Sequence, residues 1–181
     1  MRLHGIKAYS EHLSYCSHGG HMYDLMPIPF TAEAVSYVAE RIRIVQDIIE
    51  QPLIIENVSA YAEPGKEMAE IDFLKAVVLE SDCRILLDVN NVFVNSSNHG
   101  FDAFEYIQAI PSDRISYLHV AGHYQEADDL LIDTHGAAVK SDVWDLLAFT
   151  YQHHGIIPTL LERDFNLPNM AELMQEIDMI H

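Results

Sequence analysis

Basic residues are scarce in this chain: 10 Lys and Arg stand against 28 Asp and Glu, for a net charge of −18 over 181 residues. A surface this acidic repels phosphate backbones and anionic headgroups, which argues against nucleic acid and membrane surfaces as partners. Cysteine is scarcer still. The only two, Cys16 and Cys83, form no CxxC pair, which excludes a disulfide framework and a zinc knuckle and suits a reducing, cytoplasmic setting. No apolar run approaches the roughly 20 residues of a membrane helix. Met1-Arg2-Leu3-His4-Gly5 has no apolar h-region, so no signal peptide is expected. With only 8 Gly and 7 Pro there is no low-complexity stretch and no obvious linker. What is abundant is apolar content, 49% of residues, enough for a real core and too much for a disordered chain. One domain, 1–181, is expected.

Short apolar runs alternate with amphipathic stretches, the pattern of βαβ units. Thr31 reads as the N-cap of a first helix whose inner face is Val35, Val38, Ala39, Ile42, Val45 and Ile49. Glu40, Arg41, Arg43 and Asp47 lie opposite, and Pro52 marks the exit. The expected strands are Tyr9–His12, Leu53–Glu56, Arg84–Asp88, Ile115–His119, Leu130–Asp133 and Pro158–Glu162. Further helices are expected over about 67–80 and 102–110, after Ser141 with Val143, Trp144, Leu147 and Ala148 inside and Gly155 as the stop, and from about Asn169. Continuously apolar strands indicate a parallel sheet covered on both faces.

The strands share an ending: Glu56, Asp88, His119, Asp133 and Glu162. In a β/α barrel, side chains at the C-terminal strand ends converge on the active site. One strand-end Asp has an ordinary explanation as the cap of the next helix. Five successive Asp, Glu or His residues are better explained as one metal site. Asp133-Thr134-His135 would put a carboxylate and an imidazole on the same side of an extended segment. His12 closes the first strand, with Glu11 as a supporting or alternative group. Asn90 and Asn91 follow Asp88 and offer amide oxygens to a hard ion. Imidazole and carboxylate donors without thiolate suit iron, manganese or zinc, and too many ligands gather for one tetrahedral ion, so two or three bridged ions are expected.

His123, four residues after His119, is expected to orient a ligand or contact substrate, the supporting role leading. His99, in Asn98-His99-Gly100, is expected in a loop where it faces substrate or forms the turn. His18, His21, His153 and His154 read as ordinary surface or loop residues. Cys16 reads as a small buried hydrophobe, or as facing the site, and Cys83 as structural.

At these residues the chain resembles a multinuclear iron barrel family, which includes the methanobactin-maturation iron oxidase and relatives acting on thiol-bearing peptides. The matching segments are Ser10-Glu11-His12-Leu13-Ser14, Ser17-His18-Gly19-Gly20, Leu53-Ile54-Ile55-Glu56-Asn57 and Leu86-Leu87-Asp88-Val89-Asn90-Asn91-Val92. They continue through Asn98-His99-Gly100-Phe101-Asp102, Leu118-His119-Val120-Ala121-Gly122-His123, Ile132-Asp133-Thr134-His135 and Thr159-Leu160-Leu161-Glu162. The resemblance implies a TIM-type (β/α)8 barrel with two or three iron ions held at His12, Glu56, Asp88, Asn91, His119, Asp133, His135 and Glu162. It also implies oxidation by O₂ of cysteine residues in a small ribosomal peptide, with a partner protein that delivers the peptide. The family's barrel has two further strands and another His ligand before Tyr9–His12. This chain therefore reads as an N-terminally truncated barrel with about six of the eight strands. Its open edges would be covered by a homo-oligomer or a complementing N-terminal chain.

Three functions stay open on the residues alone. An iron-dependent oxidase or oxygenase leads. A divalent-metal sugar isomerase or phosphodiesterase would also place such side chains at strand ends, but calls for Lys near them, where Lys is scarce. A metal-binding fragment without turnover is the third.

Overall fold

A computed structural model describes residues 5–180. Met1-Arg2-Leu3-His4, which carry most of the expectation of no signal peptide, lie outside the described residues. The elements run β1 (Ser10–His12), β2 (Tyr15–Ser17), β3 (His21–Met26), α1 (Ala32–Ile49), β4 (Ile54–Glu56), α2 (Glu70–Ser81), β5 (Arg84–Asp88), α3 (Val89–His99) and α4 (Ala103–Ala109). They continue with β6 (Ile115–Val120), β7 (Tyr124–Ala127), β8 (Leu130–Ile132), α5 (Ser141–His154), β9 (Thr159–Leu161) and α6 (Met170–Asp178). The class is α/β. Five strands form one sheet in the order β1-β4-β5-β6-β9, flanked by helices, while β2-β3 and β7-β8 are separate two-stranded hairpins. The β1–β4, β4–β5 and β6–β9 pairings are parallel. Among the described residues no helix is long and apolar enough to cross a membrane.

The chain clusters into two compact units, one holding the residues through Leu86 with Ile110–Ser116, the other Leu87–Ala109 with Tyr117 onward. In the first unit, Thr31 caps α1 as expected, its hydroxyl accepting the Ala34 N–H at 3.1 Å. Val35, Ala39 and Ile42 are buried at helical spacing, and Glu50 ends the helix in the left-handed region at φ 56°. Helix α2 starts later than expected, because the N–H groups of Glu67 and Met68 both donate to Phe30 O. Its Phe73 packs 5.2 Å from Phe30, ring centre to ring centre. Phe73, Leu74, Val77 and Val78 are fully buried, each stabilising the fold by about 1.5–3 kcal/mol. Cys83 is buried, and burial pushes its thiol pKa up. Cys16 is exposed on β2, not a small buried hydrophobe, because that hairpin turns its strand to solvent.

The second unit departs from expectation in three places. Residues 89–99 form a helix where only a ligand-bearing segment was expected, and His99 is its last residue rather than part of a loop, with Gly100 capping at φ 73°. Leu130–Ile132 does not join the parallel sheet; it pairs antiparallel with Tyr124–Ala127 across the Asp128-Asp129 turn. Along α5 the buried positions are Val143, Leu146, Leu147 and Thr150, whereas Ala148 is exposed. His154 is half-buried, its Nε2 lying 2.9 Å from Ile107 O.

Candidate metal centre

Strand β5 is buried throughout its Ile85-Leu86-Leu87 run and delivers Asp88, fully buried, to its C-terminal end. Asp88 does two things. Its Oδ1 caps α3 by accepting the Asn91 N–H at 2.8 Å, the ordinary role of a strand-end Asp. Its Oδ2 lies 4.0 Å from His119 Nδ1 and 3.9 Å from His135 Nε2. Asn91 is thereby fixed, buried, in the first turn of α3.

His119 sits near the end of β6, opposite Leu160 of β9. The ladder runs one step past β9, with the Glu162 N–H donating to Val120 O at 2.9 Å. That step brings Glu162 beside His119, Oε2 to Nδ1 at 2.8 Å. His135 arrives by a different route. Its backbone is left-handed, φ 49°, so Asp133 and His135 meet through a kink and not along an extended segment. Such a conformation costs about 1–3 kcal/mol and persists where surroundings hold it. Here Asp133 Oδ1 takes His135 Nε2 at 2.7 Å, and Glu162 Oε2 lies 3.4 Å from Nδ1. The Asp164 N–H donates to His135 O at 2.9 Å, and Asp164 Oδ2 lies 3.6 Å from Nδ1. Two glycines allow the close approach. A methyl at Gly122 would lie 2.1 Å from Ala137 O, and one at Gly136 would strike the Phe165 ring at 2.4 Å.

A buried chain of polar groups supports this cluster. Asn90 Nδ2 donates to Asp133 Oδ1 at 2.9 Å, which leaves Asn90 Oδ1 to accept from His123 Nδ1 at 2.8 Å. His123 therefore carries its proton on Nδ1. Burial, reinforced by Lys140, pushes its pKa down to about 4. Phe93 stacks on it, ring centres 5.3 Å apart. At His135 burial also opposes the charged form. Hydrogen bonds to Asp133 and Glu162, with the charges of Asp133 and Asp88, outweigh it and push the pKa up to about 11. Hydrogen bonds from His119 and His135 hold the Glu162 carboxyl well below the usual carboxylate range.

Four carboxylates thus gather around two imidazoles, and the arrangement calls for positive charge. Asp88, His119 and Glu162 offer ligand atoms within 4.8 Å of one another; so do His135, Glu162 and Asp164. The 2.8 and 4.0 Å separations at His119 fall within the roughly 4.2 Å that two ligands bonded at ~2.1 Å to one ion can span. The donor set suits iron, manganese or zinc. Asp164 is absent from the sequence reading, although the Glu162-x-Asp164 spacing just past a strand was the available signal.

In the first unit, β1 and β4 pair with His12 opposite Glu56, and His12 Nε2 lies 3.6 Å from the buried Glu56 Oε2. Glu11 is exposed and accepts a hydrogen bond from the Tyr9 hydroxyl, which pushes the Tyr9 pKa up. His18 and His21 are exposed, as expected. His99 stands at the opposite end of α3 from Asp88, about 16 Å along the helix axis.

The chain is similar over nearly its whole length to a set of known proteins. A UPF0276 protein of Shewanella sediminis is 62% identical over 181 residues, 100% of this chain and 65% of that protein. One from Shewanella loihica is 63% identical over 178 residues, 98% of this chain and 64% of its own length. One from Pseudomonas aeruginosa is 60% identical over 177 residues, 98% and 62% respectively. The chain therefore spans under two thirds of the length of these relatives. The sequence model of the family described as RiPP precursor modification enzyme MbnB/TglH/ChrH matches residues 1–181. With that match running end to end, the chain belongs to the MbnB/TglH/ChrH family of RiPP precursor modification enzymes.

Proposed function

We propose that this chain is the metal-binding portion of an iron-dependent oxidase or oxygenase that modifies cysteine residues of a ribosomally made peptide. The proposed scaffold is a TIM-type (β/α)8 barrel in a cytoplasmic setting, with a peptide-delivering partner protein. One observation carries the metal half of this reading: Glu162 belongs to both ligand groups, so one carboxylate can serve two ions. Membership of a peptide-modifying family supports the other half. The proposed ligands are Asp88, Asn91, His119, Asp133, His135 and Glu162, with Asp164 added from its position beside His135. His12 and Glu56 enter from the sequence reading.

Two or three iron ions, when bound, would supply the electron-accepting and O₂-binding chemistry. The rest falls to the protein. Asp133 and Asn90 orient His135, so that Nδ1 is the nitrogen turned toward Glu162 and Asp164. The cap bond fixes the Asp88 carboxylate and aims Oδ2 at the imidazoles. Burial of Asp88 and His119 keeps water away and strengthens every charge interaction there. Asp164, 60% exposed, marks the side that meets solvent and from which a peptide is proposed to enter.

The test is O₂ uptake and peptide mass after mixing the anaerobically iron-loaded protein with Cys-bearing peptides. The expected result is iron-dependent uptake with a mass change confined to peptides containing Cys. Iron-loaded protein that consumes no O₂ with any such peptide would end the oxidase reading and leave metal binding without turnover.

A further inference from the structure

An ion pair between Arg163, within the ligand-bearing segment 162–164, and Glu176 of α6 has no part in the metal reading. Arg163 Nη2 donates to Glu176 Oε2 at 2.6 Å, and the two side chains are only 7% and 13% exposed. The other carboxylate oxygen, Glu176 Oε1, accepts the Val139 N–H at 2.7 Å. One side chain of α6 thus ties together two segments. Residues 133–139 carry Asp133 and His135; residues 162–164 carry Glu162 and Asp164. Glu162 and Asp164 both reach His135, while Arg163 between them reaches α6 instead.

Burying a charge pair is costly unless its geometry and hydrogen bonds are complete, and apolar residues would close a helix contact at least as well. A pair kept at this position calls for a role that apolar packing does not fill. The His135 ring is shared by carboxylates of both segments, Asp133 on one and Glu162 and Asp164 on the other, so the ligand geometry depends on how the two backbones are held. Glu176, from a third element, bonds to both of those backbones' segments.

We propose that Arg163 and Glu176 are positioning residues for the metal centre. Joined through α6, they hold segments 133–139 and 162–164 in register and so set the affinity for metal. The inference rests on the metal-centre reading above. Neither side chain is a ligand; both act through His135, Glu162 and Asp164, whose mutual distances depend on the two backbones staying put.

The test titrates the full chain anaerobically with Co(II), following stoichiometry and the visible ligand-field spectrum, alongside the melting temperature of the metal-free protein. Glu176→Gln keeps an acceptor for Val139 and weakens the Arg163 pair; Glu176→Ala loses both. The affinity of at least one Co(II) should fall about 10–100-fold in Glu176→Ala and less in Glu176→Gln, with an altered spectrum. Arg163→Gln leaves a buried carboxylate without its cation and is most at risk of unfolding, so Glu176→Gln decides if it does. Folded variants whose titrations and spectra superimpose on wild type, with only the metal-free melting temperature lowered, would overturn the clamp. A wild-type chain that takes up no Co(II) would overturn the metal reading and the clamp with it.

Discussion

Asp88 shows why single residues at strand ends are ambiguous in a sequence. A helix cap and a ligand position need not be alternatives: one Asp88 oxygen caps α3 while the other faces His119 and His135. His123 makes a second residue-level point. Its Nδ1 proton is fixed by Asn90, its ring is 2% exposed, and its pKa lies near 4. Between pH 6.5 and about 4 the unfolded imidazole holds a proton that the folded one lacks. The His123 contribution to stability is therefore complete above pH 6.5 and is lost as pH falls toward 4, to the extent of roughly 3 kcal/mol. Urea unfolding of the metal-free protein across that window should show a shallower dependence on pH in His123→Gln than in wild type. Equal slopes would mean that the ring is not held neutral. At this scale His119, Asp133 and Glu162 were legible as candidates, because a hydrophobic run ending in Asp, Glu or His is a pattern along the chain; His135 entered through its spacing from Asp133, although the segment is kinked and not extended. Asp164 was marked only by its two-residue spacing from Glu162, because it follows no apolar run of its own and its place depends on the backbone bond from Asp164 to His135.

Among the elements, α1 and β5 were the easiest to read, since a capping Thr and an uninterrupted apolar run are local signals. Helix α3 was hidden. Val89-Asn90-Asn91-Val92-Phe93-Val94-Asn95 mixes β-branched and Asn residues of poor intrinsic helix propensity, and tertiary burial of Val89, Val92, Val94 and Asn95 overrides it. Strand β8 misled for the converse reason. Leu130-Leu131-Ile132 is apolar enough for a sheet interior, yet it pairs with the exposed β7. The contact between residues 122 and 137 is likewise invisible in a linear reading. The backbones touch there, and a methyl at Gly122 has no space. Gly122→Ala should therefore destabilise the protein by about 1–3 kcal/mol and shift the segment that carries His135. Denaturant midpoints and Co(II) uptake should fall together. An unchanged midpoint would show that the segment yields without cost.

For the molecule as a whole, the α/β class and the parallel sheet follow from alternating apolar and amphipathic stretches. Closure of a barrel does not, because it depends on pairing at strand edges, which periodicity along the chain does not report. The net charge of −18 gains a partial explanation, since four of its carboxylates surround His119 and His135. Family membership and this cluster support the same reading, a multinuclear iron centre that acts on peptide cysteines. Its most direct test is metal analysis with Mössbauer spectroscopy on the anaerobically purified protein. The account predicts at least two iron ions per chain, magnetically coupled to each other. Protein that holds only zinc or magnesium, or a single isolated iron, would contradict it.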